Sequence, residues 1–543
     1  MSNTHRNPTD TEINAVIKFY TSGQIEEARA VLIRLTRKYP NEALLYNFLG
    51  VCYATLNQTE AAFGSFESAL RINPDNAEVH YNLGNTLKAC DRLNASIKSY
   101  TRALEINPFH ADTHINLGNA FKGIGNIEKA VSHYEHAIQI NPSYTEAHCN
   151  LGNTLHVIGN LEAAISCYQQ ALSIDPSDAE AHNCLGNTYN DLGKTDAALS
   201  AIEQALTIKP TNPQFWASYA TALHQKKFKT FNESISNYLV KTLQQPTINP
   251  NYIAPAIVSA LQQHPKIKLA IKASKNDLIE KNLPFFSDQL ASISLFLALL
   301  ENCPIADPEI EYLLTQMRRA TLNQLFDSVL NGIDFSFYYS LALHCFTNEY
   351  IFFESDEEIQ NVTKLENKIN YQVNNNLPIP PIWIVLLAAY RPLHNYLWAE
   401  QLQKTALPVN SHKILARQLF DIKKEQHLKT KIHQLTSIND STSNAVKEQY
   451  EQNPYPRWIN PGLFDNPKTI RENLHAINPQ LSIDDNHYSK MPNILIAGCG
   501  TGQHALNSQS RFLNCTVLAI DLSLNSLSYA MRKTHELSIT NIN

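Results

Sequence analysis

The sequence predicts a mostly α-helical protein, built as an α-solenoid, a non-repeat helical domain and the N-terminal part of an α/β domain. Three observations support this prediction. Proline recurs at one constant interval, at Pro40, Pro74, Pro108, Pro142, Pro176 and Pro210, which indicates a stack of helix pairs. Residues 241–436 keep a helical hydrophobic period without any repeat. Residues 493–521 then follow the order strand, glycine turn, helix and strand, which is typical of a β-α-β unit.

Length and composition exclude several classes of protein. A chain of 543 residues should hold about three domains, and 43% hydrophobic with 17% charged residues is typical of a soluble globular protein. The net charge of −6 and the lack of a basic run argue against a nucleic-acid partner. The longest apolar runs are about half as long as a membrane span requires, and residues 1–10 lack the apolar core of a signal peptide. No membrane association is therefore expected.

The nine cysteines are scattered along the chain. None forms a C-x-x-C pair or a His/Cys cluster at metal-ligand spacing. The sequence therefore predicts reduced thiols, no metal site and a cytoplasmic location.

Residues 1–240 are predicted to form a repeat array, with about six repeats over residues 6–209 and a degenerate cap. A Leu-Gly pair, a small residue, a large residue and an alanine keep the same phase as the prolines, as in Leu117-Gly118, Ala130, Tyr134 and Ala137. Small residues let two helices approach, the large residue fills the gap, and proline ends the second helix. The pattern is similar to the tetratricopeptide repeat in its period and in nearly every signature position.

Asparagine recurs at two positions of the first helix of each repeat, on one face. One column is Asn82, Asn116 and Asn150, and the other is Asn85, Asn119, Asn153 and Asn187. In the repeat family this face lines a concave groove, and the columns resemble the asparagine ladder of protein O-GlcNAc transferase. The resemblance implies a protein or peptide partner held through its main chain. The alternative is that asparagine serves only local packing or capping.

Histidine also recurs in phase with the repeat, at His80, His114, His148 and His182. Stacked imidazoles suggest metal binding, but no carboxylate joins them at ligand spacing. We expect them to pack within the repeats.

The stretch most informative about chemistry runs from Asn493 to Asp521. An apolar run of strand type is followed by Gly498-Cys499-Gly500-Thr501-Gly502, a helix-compatible segment, a second apolar run and Asp521. Glycines at these positions allow a tight turn and close approach of a ligand, and an acid at a strand end can accept the hydroxyls of a ribose. A dinucleotide-binding turn and a chance glycine loop are the alternatives.

The G-x-G-x-G spacing and the following acid resemble motif I and the ribose-binding acid of class I S-adenosylmethionine-dependent methyltransferases, which have a Rossmann-like fold. The resemblance implies that S-adenosylmethionine binds at residues 498–502 and Asp521 in the complete domain. The family usually has an acid two residues before the first glycine, where this chain has Ile496. No catalytic residue can be assigned from the sequence.

Residues 437–492 are predicted to connect the helical and α/β domains. A linker rich in Ser, Asn and Thr, residues 437–444, precedes the sequence N-P-Y-P-R-W at 453–458. This NPYPRW segment resembles one that precedes the cofactor domain in bacterial proteins that join tetratricopeptide repeats to a methyltransferase. Tyr455, Arg457 and Trp458 are candidates for a lid over the cofactor or substrate, and a strap that docks two domains is the alternative.

The middle domain, residues 241–436, offers no evident chemistry, and we expect it to set the distance between groove and active site. Its acidic residues between Glu349 and Glu358 are interpreted as solvated helix ends, because no His, Lys or Ser is evidently placed to work with them.

The α/β segment, residues 493–543, holds only the first units of a methyltransferase fold, with the start of a third strand at 539–543. We therefore expect a truncated domain. The resemblances together imply a methyltransferase whose repeat array recruits a protein or peptide substrate. The alternative is a non-catalytic repeat scaffold.

Overall fold

The structure is a computed structural model that describes residues 8–224, 226–325, 333–404, 408–409, 411–433, 440–452, 457–464, 466–477 and 490–543. The chain divides into two compact units, residues 1–211 and 212–543. Most of the described residues are helical, as the sequence predicts.

The described part of the first unit contains twelve helices in six pairs. They are α1 (Asp10–Thr21), α2 (Ile25–Lys38), α3 (Ala43–Thr55), α4 (Thr59–Ile72), α5 (Ala77–Ala89), α6 (Leu93–Ile106), α7 (Ala111–Gly123), α8 (Ile127–Ile140), α9 (Thr145–Val157), α10 (Leu161–Ile174), α11 (Ala179–Asp191) and α12 (Thr195–Ile208).

The turn inside each helix pair needs one residue in the left-handed backbone region. The six positions that adopt a positive φ occur once in each repeat and hold glycine, asparagine or aspartate, the residues that tolerate this conformation best. They are Gly23, Asn57, Asp91, Gly125, Gly159 and Gly193. The repeat is thus encoded in the turns as well as in the helices.

The core of four repeats contains a glycine packed against an aromatic ring. A methyl group added at Gly118 would lie 2.6 Å from Cε1 of Tyr134, whose side chain is fully buried. Three other repeats use the same contact, between Gly50 and Phe66, Gly84 and Tyr100, and Gly152 and Tyr168. The first repeat solves the same packing problem with Val16 and Leu32, both buried.

Up to residue 477 the described residues of the second unit are mostly helical. Its helices are α13 (Pro213–Leu223), α14 (Glu233–Leu243), α15 (Pro250–Gln263), α16 (Pro265–Ser274), α17 (Leu283–Ala291), α18 (Ser294–Asn302), α19 (Pro308–Asn323), α20 (Ser336–Thr347), α21 (Asp356–Asn374), α22 (Pro381–Ala388), α23 (Ser411–Leu415), α24 (Asp421–Lys429), α25 (Ser441–Gln452) and α26 (Ile470–Ile477). Short 3-10 helices cover Glu280–Asn282, Leu393–Asn395 and Leu397–Lys404, and Ala416–Phe420 form a π-helix between α23 and α24. Helix α25 begins inside the segment predicted as a linker, residues 437–444.

The prediction that the acidic residues between Glu349 and Glu358 are solvated is wrong for Glu358, whereas Asp356 and Glu357 are exposed. Glu358 is fully buried, and its Oε2 accepts a hydrogen bond from Nε of Arg319 at 3.0 Å. The hydroxyl of Tyr390 donates to its other oxygen at 2.9 Å. Glu354 forms a two-pronged ion pair with Arg391, at 2.7 and 2.8 Å. The basic partners, Arg319 and Arg391, lie far from these acids along the chain, so a local charge pattern does not indicate this burial.

The C-terminal region adds two short parallel strands, β1 (Asn493–Ala497) and β2 (Thr516–Ile520), and two helices, α27 (Gln503–Arg511) and α28 (Leu524–Glu536). Asn493 pairs with Thr516 and Ala497 with Ile520. Val517 also forms a parallel bridge to Ile542 on its other side. Both strands end at the same edge, where the glycine loop and Asp521 begin.

Within the described ranges no single helix is long and apolar enough to cross a membrane. The segments Glu280–Ala291 and Ser294–Asn302, bent by 85°, meet the length and composition criteria only as a pair. The same described ranges contain no group of three or more His, Cys, Asp or Glu residues that could hold a metal ion.

Candidate functional site

The second asparagine column is held by tyrosines. In three consecutive repeats the tyrosine hydroxyl of the second helix donates to the asparagine Oδ1 of the first helix at 2.7 Å. The pairs are Tyr100 with Asn85, Tyr134 with Asn119, and Tyr168 with Asn153. Burial raises the pKa of all three tyrosines, that of Tyr134 to about 12, so the hydroxyls stay protonated and able to donate.

This contact leaves the other end of each amide available. In the described part of the array, the Nδ2 groups of Asn85, Asn119 and Asn153 donate to no protein group. These nitrogen atoms are not fully buried, so solvent can reach them. The three side chains are partly exposed. Their amide N–H groups therefore reach solvent in an orientation that the tyrosines determine.

Asn187, the fourth member of the column, lacks this support. Its repeat has Ile202 where the others have tyrosine, and the side chain of Ile202 packs under Gly186. An isoleucine cannot donate to an amide oxygen. The oriented part of the column is therefore limited to the three repeats before it.

The first asparagine column makes contacts within and between repeats. Nδ2 of Asn82 donates to Oδ1 of Asn47 at 3.1 Å, and Nζ of Lys88 donates to Oδ1 of Asn116 at 2.5 Å. Nδ2 of Asn150 lies 3.5 Å from Oε1 of Glu146 in its own helix. This column has less hydrogen-bonding capacity left for a ligand than the second one.

Two lysines on the same helices escaped the sequence analysis. Lys88 and Lys122 occupy the same position in consecutive repeats and are partly buried, and burial lowers the pKa of both ammonium groups. Among described residues Lys122 forms no ion pair. The two lysines can be recognised in the sequence because they recur at the repeat period. The oriented asparagines, Asn85, Asn119 and Asn153, can be recognised because a tyrosine follows each of them at a fixed distance.

The in-phase histidines bind the turns between repeats. Each Nε2 lies 3.0–3.2 Å from the carbonyl of a preceding proline, and because a carbonyl only accepts, Nε2 carries the hydrogen. The pairs are His80 with Pro74, His114 with Pro108, His148 with Pro142, and His182 with Pro176. These contacts hold the first helix of a repeat to the end of the preceding one.

The glycine loop has the backbone that the sequence predicts. Gly498, Gly500 and Gly502 have φ values of 68°, 51° and 84°. A methyl group added at Gly498 or Gly500 would meet nothing within 4 Å, whereas one at Gly502 would lie 2.5 Å from Cβ of Ala530. The first two glycines thus leave open space at the strand edge, and the third lets α28 approach the loop.

Asp521 faces this loop. Its Oδ2 accepts from the backbone N–H of Gly500 at 2.7 Å and its Oδ1 from that of Ser523 at 2.9 Å. Each carboxylate oxygen keeps a further lone pair for a ligand hydroxyl. Cys499 and Thr501 are buried, and burial raises the pKa of the Cys499 thiol to about 12. That thiol is therefore protonated and unreactive at neutral pH.

The described end of the NPYPRW segment connects the loop to the helical domain. Nε1 of Trp458, which is buried, donates to the carbonyl of Thr501 at 3.0 Å. The neighbouring Arg457 pairs through Nε with Glu349 and lies over the ring of Phe346, 4.8 Å from its centre. Tyr455 lies outside the described residues.

Family models match the array. One described as a TPR repeat matches residues 124–159 and 156–193, and two described as a tetratricopeptide repeat match residues 14–77, and 77–110 and 179–212. Residues 14–110 and 124–212 are therefore tetratricopeptide repeats. The predicted array is confirmed for these residues.

Solved structures are similar to part of this chain, and two of the three named here are described as TPR proteins. YrrB, described as a TPR protein with an unusual peptide-binding site, is 22% identical, with 36% of this chain and 96% of YrrB covered and a TM-score of 0.31. A thermophilic TPR protein of Thermus thermophilus is 26% identical, over 34% and 99%, with a TM-score of 0.28. PilF of Pseudomonas aeruginosa is 18% identical, over 39% and 94%, with a TM-score of 0.35. The search of curated proteins gave no match.

Proposed function

We propose that the tetratricopeptide array binds the main chain of an extended peptide through Asn85, Asn119 and Asn153. The observation that carries the proposal is that these three amides are oriented by tyrosines and keep their Nδ2 groups free. An extended peptide presents carbonyl oxygens to one side at regular intervals, and side-chain amides can donate to them without regard to peptide sequence. The first column, with Asn82, Asn116 and Asn150, borders this site.

The two lysines add a preference to the proposed groove. Lys88 and Lys122 hold their charges partly out of water, which is unfavourable until an anionic group approaches. An acidic side chain of the peptide would relieve that cost. We therefore expect the array to favour acidic peptides over basic ones.

The test is peptide selection followed by a measurement of affinity. Peptides of about a dozen residues selected from a random library on the wild-type chain are labelled, and their dissociation constants are measured by fluorescence anisotropy. Each donor contributes about 1 kcal/mol, so changing Asn85, Asn119 and Asn153 to Ala should weaken binding roughly 100-fold.

Asn187→Ala is the matched control, because this asparagine occupies the same position without a tyrosine. It should weaken binding less than about threefold, below 1 kcal/mol. Equal losses from the triple variant and the control, or a wild-type chain that selects no peptide, would remove the proposal.

A second candidate function rests on the glycine loop. We also propose that residues 498–502 and Asp521 bind S-adenosylmethionine, and that the array recruits the substrate of a methyltransferase. The open space at Gly498 and Gly500 and the remaining lone pairs of Asp521 fit an adenosyl ligand at the ends of β1 and β2. The cofactor, when bound, supplies both the methyl group and its own leaving group. The loop backbone would position it, and Asp521 would accept from the ribose hydroxyls.

In the same proposal Trp458 supports the loop through its hydrogen bond to Thr501. Trp458, Arg457 and Tyr455 stay the candidate lid residues. The competing function is a scaffold that binds peptides and no cofactor. Calorimetric titration with S-adenosylhomocysteine separates the two. Heat of binding that Asp521→Ala abolishes and the exposed control Glu357→Ala retains supports the methyltransferase, whereas no heat from the wild type leaves the scaffold.

A further inference from the structure

A small cavity of about 50 Å³ lies in the second unit, where α28 packs beside the π-helix Ala416–Phe420 and α24. Four basic side chains line it together with one acidic side chain. They are Arg417, Arg457, Arg532, Lys533 and Asp421. The remaining wall is largely aromatic and aliphatic. A cavity with this lining raises the question of which groups balance its positive charge.

Three of the four cations have carboxylate partners. Nε of Arg532 lies 2.7 Å from Oε1 of Glu425, and its Nη1 lies 3.3 Å from Asp421. Nζ of Lys533 lies 3.3 Å from Glu536. Arg457 pairs with Glu349, as described above. These three charges are compensated within the protein.

Arg417 is different. Its Nη1 donates to the backbone carbonyl of Glu301 at 2.7 Å, and among the described residues no carboxylate oxygen lies within 4.0 Å of its guanidinium. Burial lowers the pKa of Arg417. The carboxylates of Glu301 and Asp421 act in the opposite direction from a greater distance. A guanidinium remains charged in a protein, so a cation without a carboxylate in direct contact lines the cavity.

The guanidinium groups also keep unused donors. In the described part of the chain, four terminal nitrogens donate to no acceptor: Nη2 of Arg417, both Nη atoms of Arg457 and Nη2 of Arg532. None of the four is fully buried, so a ligand or solvent can reach them. Their N–H groups therefore open onto the cavity or its mouth. One water needs roughly 10–15 Å³ of such a cavity volume. The cavity of about 50 Å³ therefore holds about four waters or one small oxyanion.

We propose that this cavity binds a small oxyanion, a phosphate or a carboxylate group, between Arg417 and Arg457. Planar guanidinium groups bind such groups through paired N–H donors, and a site shielded from water strengthens each contact. None of the residues of the glycine loop lines the cavity, so the site is separate from the proposed cofactor site. The bound anion joins the π-helix, the NPYPRW segment and α28, and stabilises their contact.

Calorimetric titration of the full chain with inorganic phosphate tests this proposal, and titration with acetate distinguishes the two oxyanion sources. Sodium chloride at equal ionic strength controls for screening. The wild type should bind at least one of the two anions and gain thermal stability with its concentration. Arg417→Met, which keeps the aliphatic stem, should weaken binding at least tenfold, whereas Lys364→Met on the exposed face of α21 should not change it.

Arg417→Lys is a second variant in case Arg417→Met does not fold. It keeps the positive charge but lacks the paired N–H donors of a planar guanidinium. It should fold and bind more weakly than the wild type. A wild-type chain with no heat and no stabilisation beyond that of chloride overturns the proposal, as does unchanged binding in a folded Arg417 variant. Both outcomes are independent of peptide and S-adenosylhomocysteine binding.

Discussion

The contact between glycine and tyrosine, which three repeats share, makes a sharp prediction about Gly118→Ala. The added methyl carbon would lie 2.6, 2.9 and 3.0 Å from three ring carbons of Tyr134. Carbon atoms in contact prefer about 3.5–4.0 Å, so the ring must move by nearly 1 Å. Tyr134 is fully buried and its hydroxyl is held by Asn119, so it has little room to do so.

The net effect follows from two opposing terms. Overpacking of a core costs about 1–3 kcal/mol, and three close contacts place this site in the upper part of that range. Alanine recovers about 1 kcal/mol of helix propensity relative to glycine. We expect Gly118→Ala to lower the free energy of unfolding of the array by about 1–2 kcal/mol.

Gly64→Ala is the matched control. Gly64 lies inside α4 of the same array, and a methyl group added there would meet nothing within 4 Å. The variant should be more stable than the wild type by about 0.5–1 kcal/mol, because only the backbone term remains. The two glycine-to-alanine changes should therefore have opposite signs.

Urea denaturation measures both variants. All four tryptophans follow residue 211, so tryptophan fluorescence reports unfolding of the second unit. Circular dichroism detects the helices of both units. A circular dichroism transition without a matching fluorescence transition therefore reports unfolding of the array. Changing Tyr134 to Leu in the Gly118→Ala background should recover stability, as Val16 and Leu32 coexist in the first repeat. A Gly118→Ala variant as stable as Gly64→Ala would refute the packing argument.

Three further predictions concern titratable side chains. Glu358→Gln should lower the stability of the second unit by about 3 kcal/mol, seen in tryptophan fluorescence, because it leaves the buried Arg318 without its charge partner 3.8 Å away. Burial and nearby positive charge lower the pKa of His133 from 6.5 to about 4. The stability that the neutral imidazole gives is therefore complete above pH 6.5 and is lost as the pH falls towards 4. His133→Gln should flatten that decline, measured as the urea midpoint of the array against pH. Asp521→Asn replaces one carboxylate oxygen, which accepts hydrogen bonds, by an amide nitrogen, which does not. Hydrogen exchange of the Gly500 amide should therefore become faster. The control Asp356→Asn should leave that exchange rate unchanged.

Much of the array follows from the sequence because its determinants are local and repeated. Proline ends each second helix, glycine admits the ring, and each of these acts within a single repeat. The glycine loop was predictable for the same reason, since its positive φ values need residues without a side chain. The asparagine columns and the tyrosines that follow the second column are visible in the sequence as a period, but the hydrogen bonds that distinguish the columns are not, because they form between facing helices and neighbouring repeats.

The sequence by itself determined the helical repeats, their register and the two parallel strands around the glycine loop. Only the tertiary structure decided that Glu358 is buried, that Trp458 supports Thr501, and that Arg417 and Arg532 line one cavity. Helix and turn formation depends on neighbours along the chain, which a sequence displays directly. The charge partner and the burial of a side chain depend on segments that lie far apart along the chain and come together only by packing.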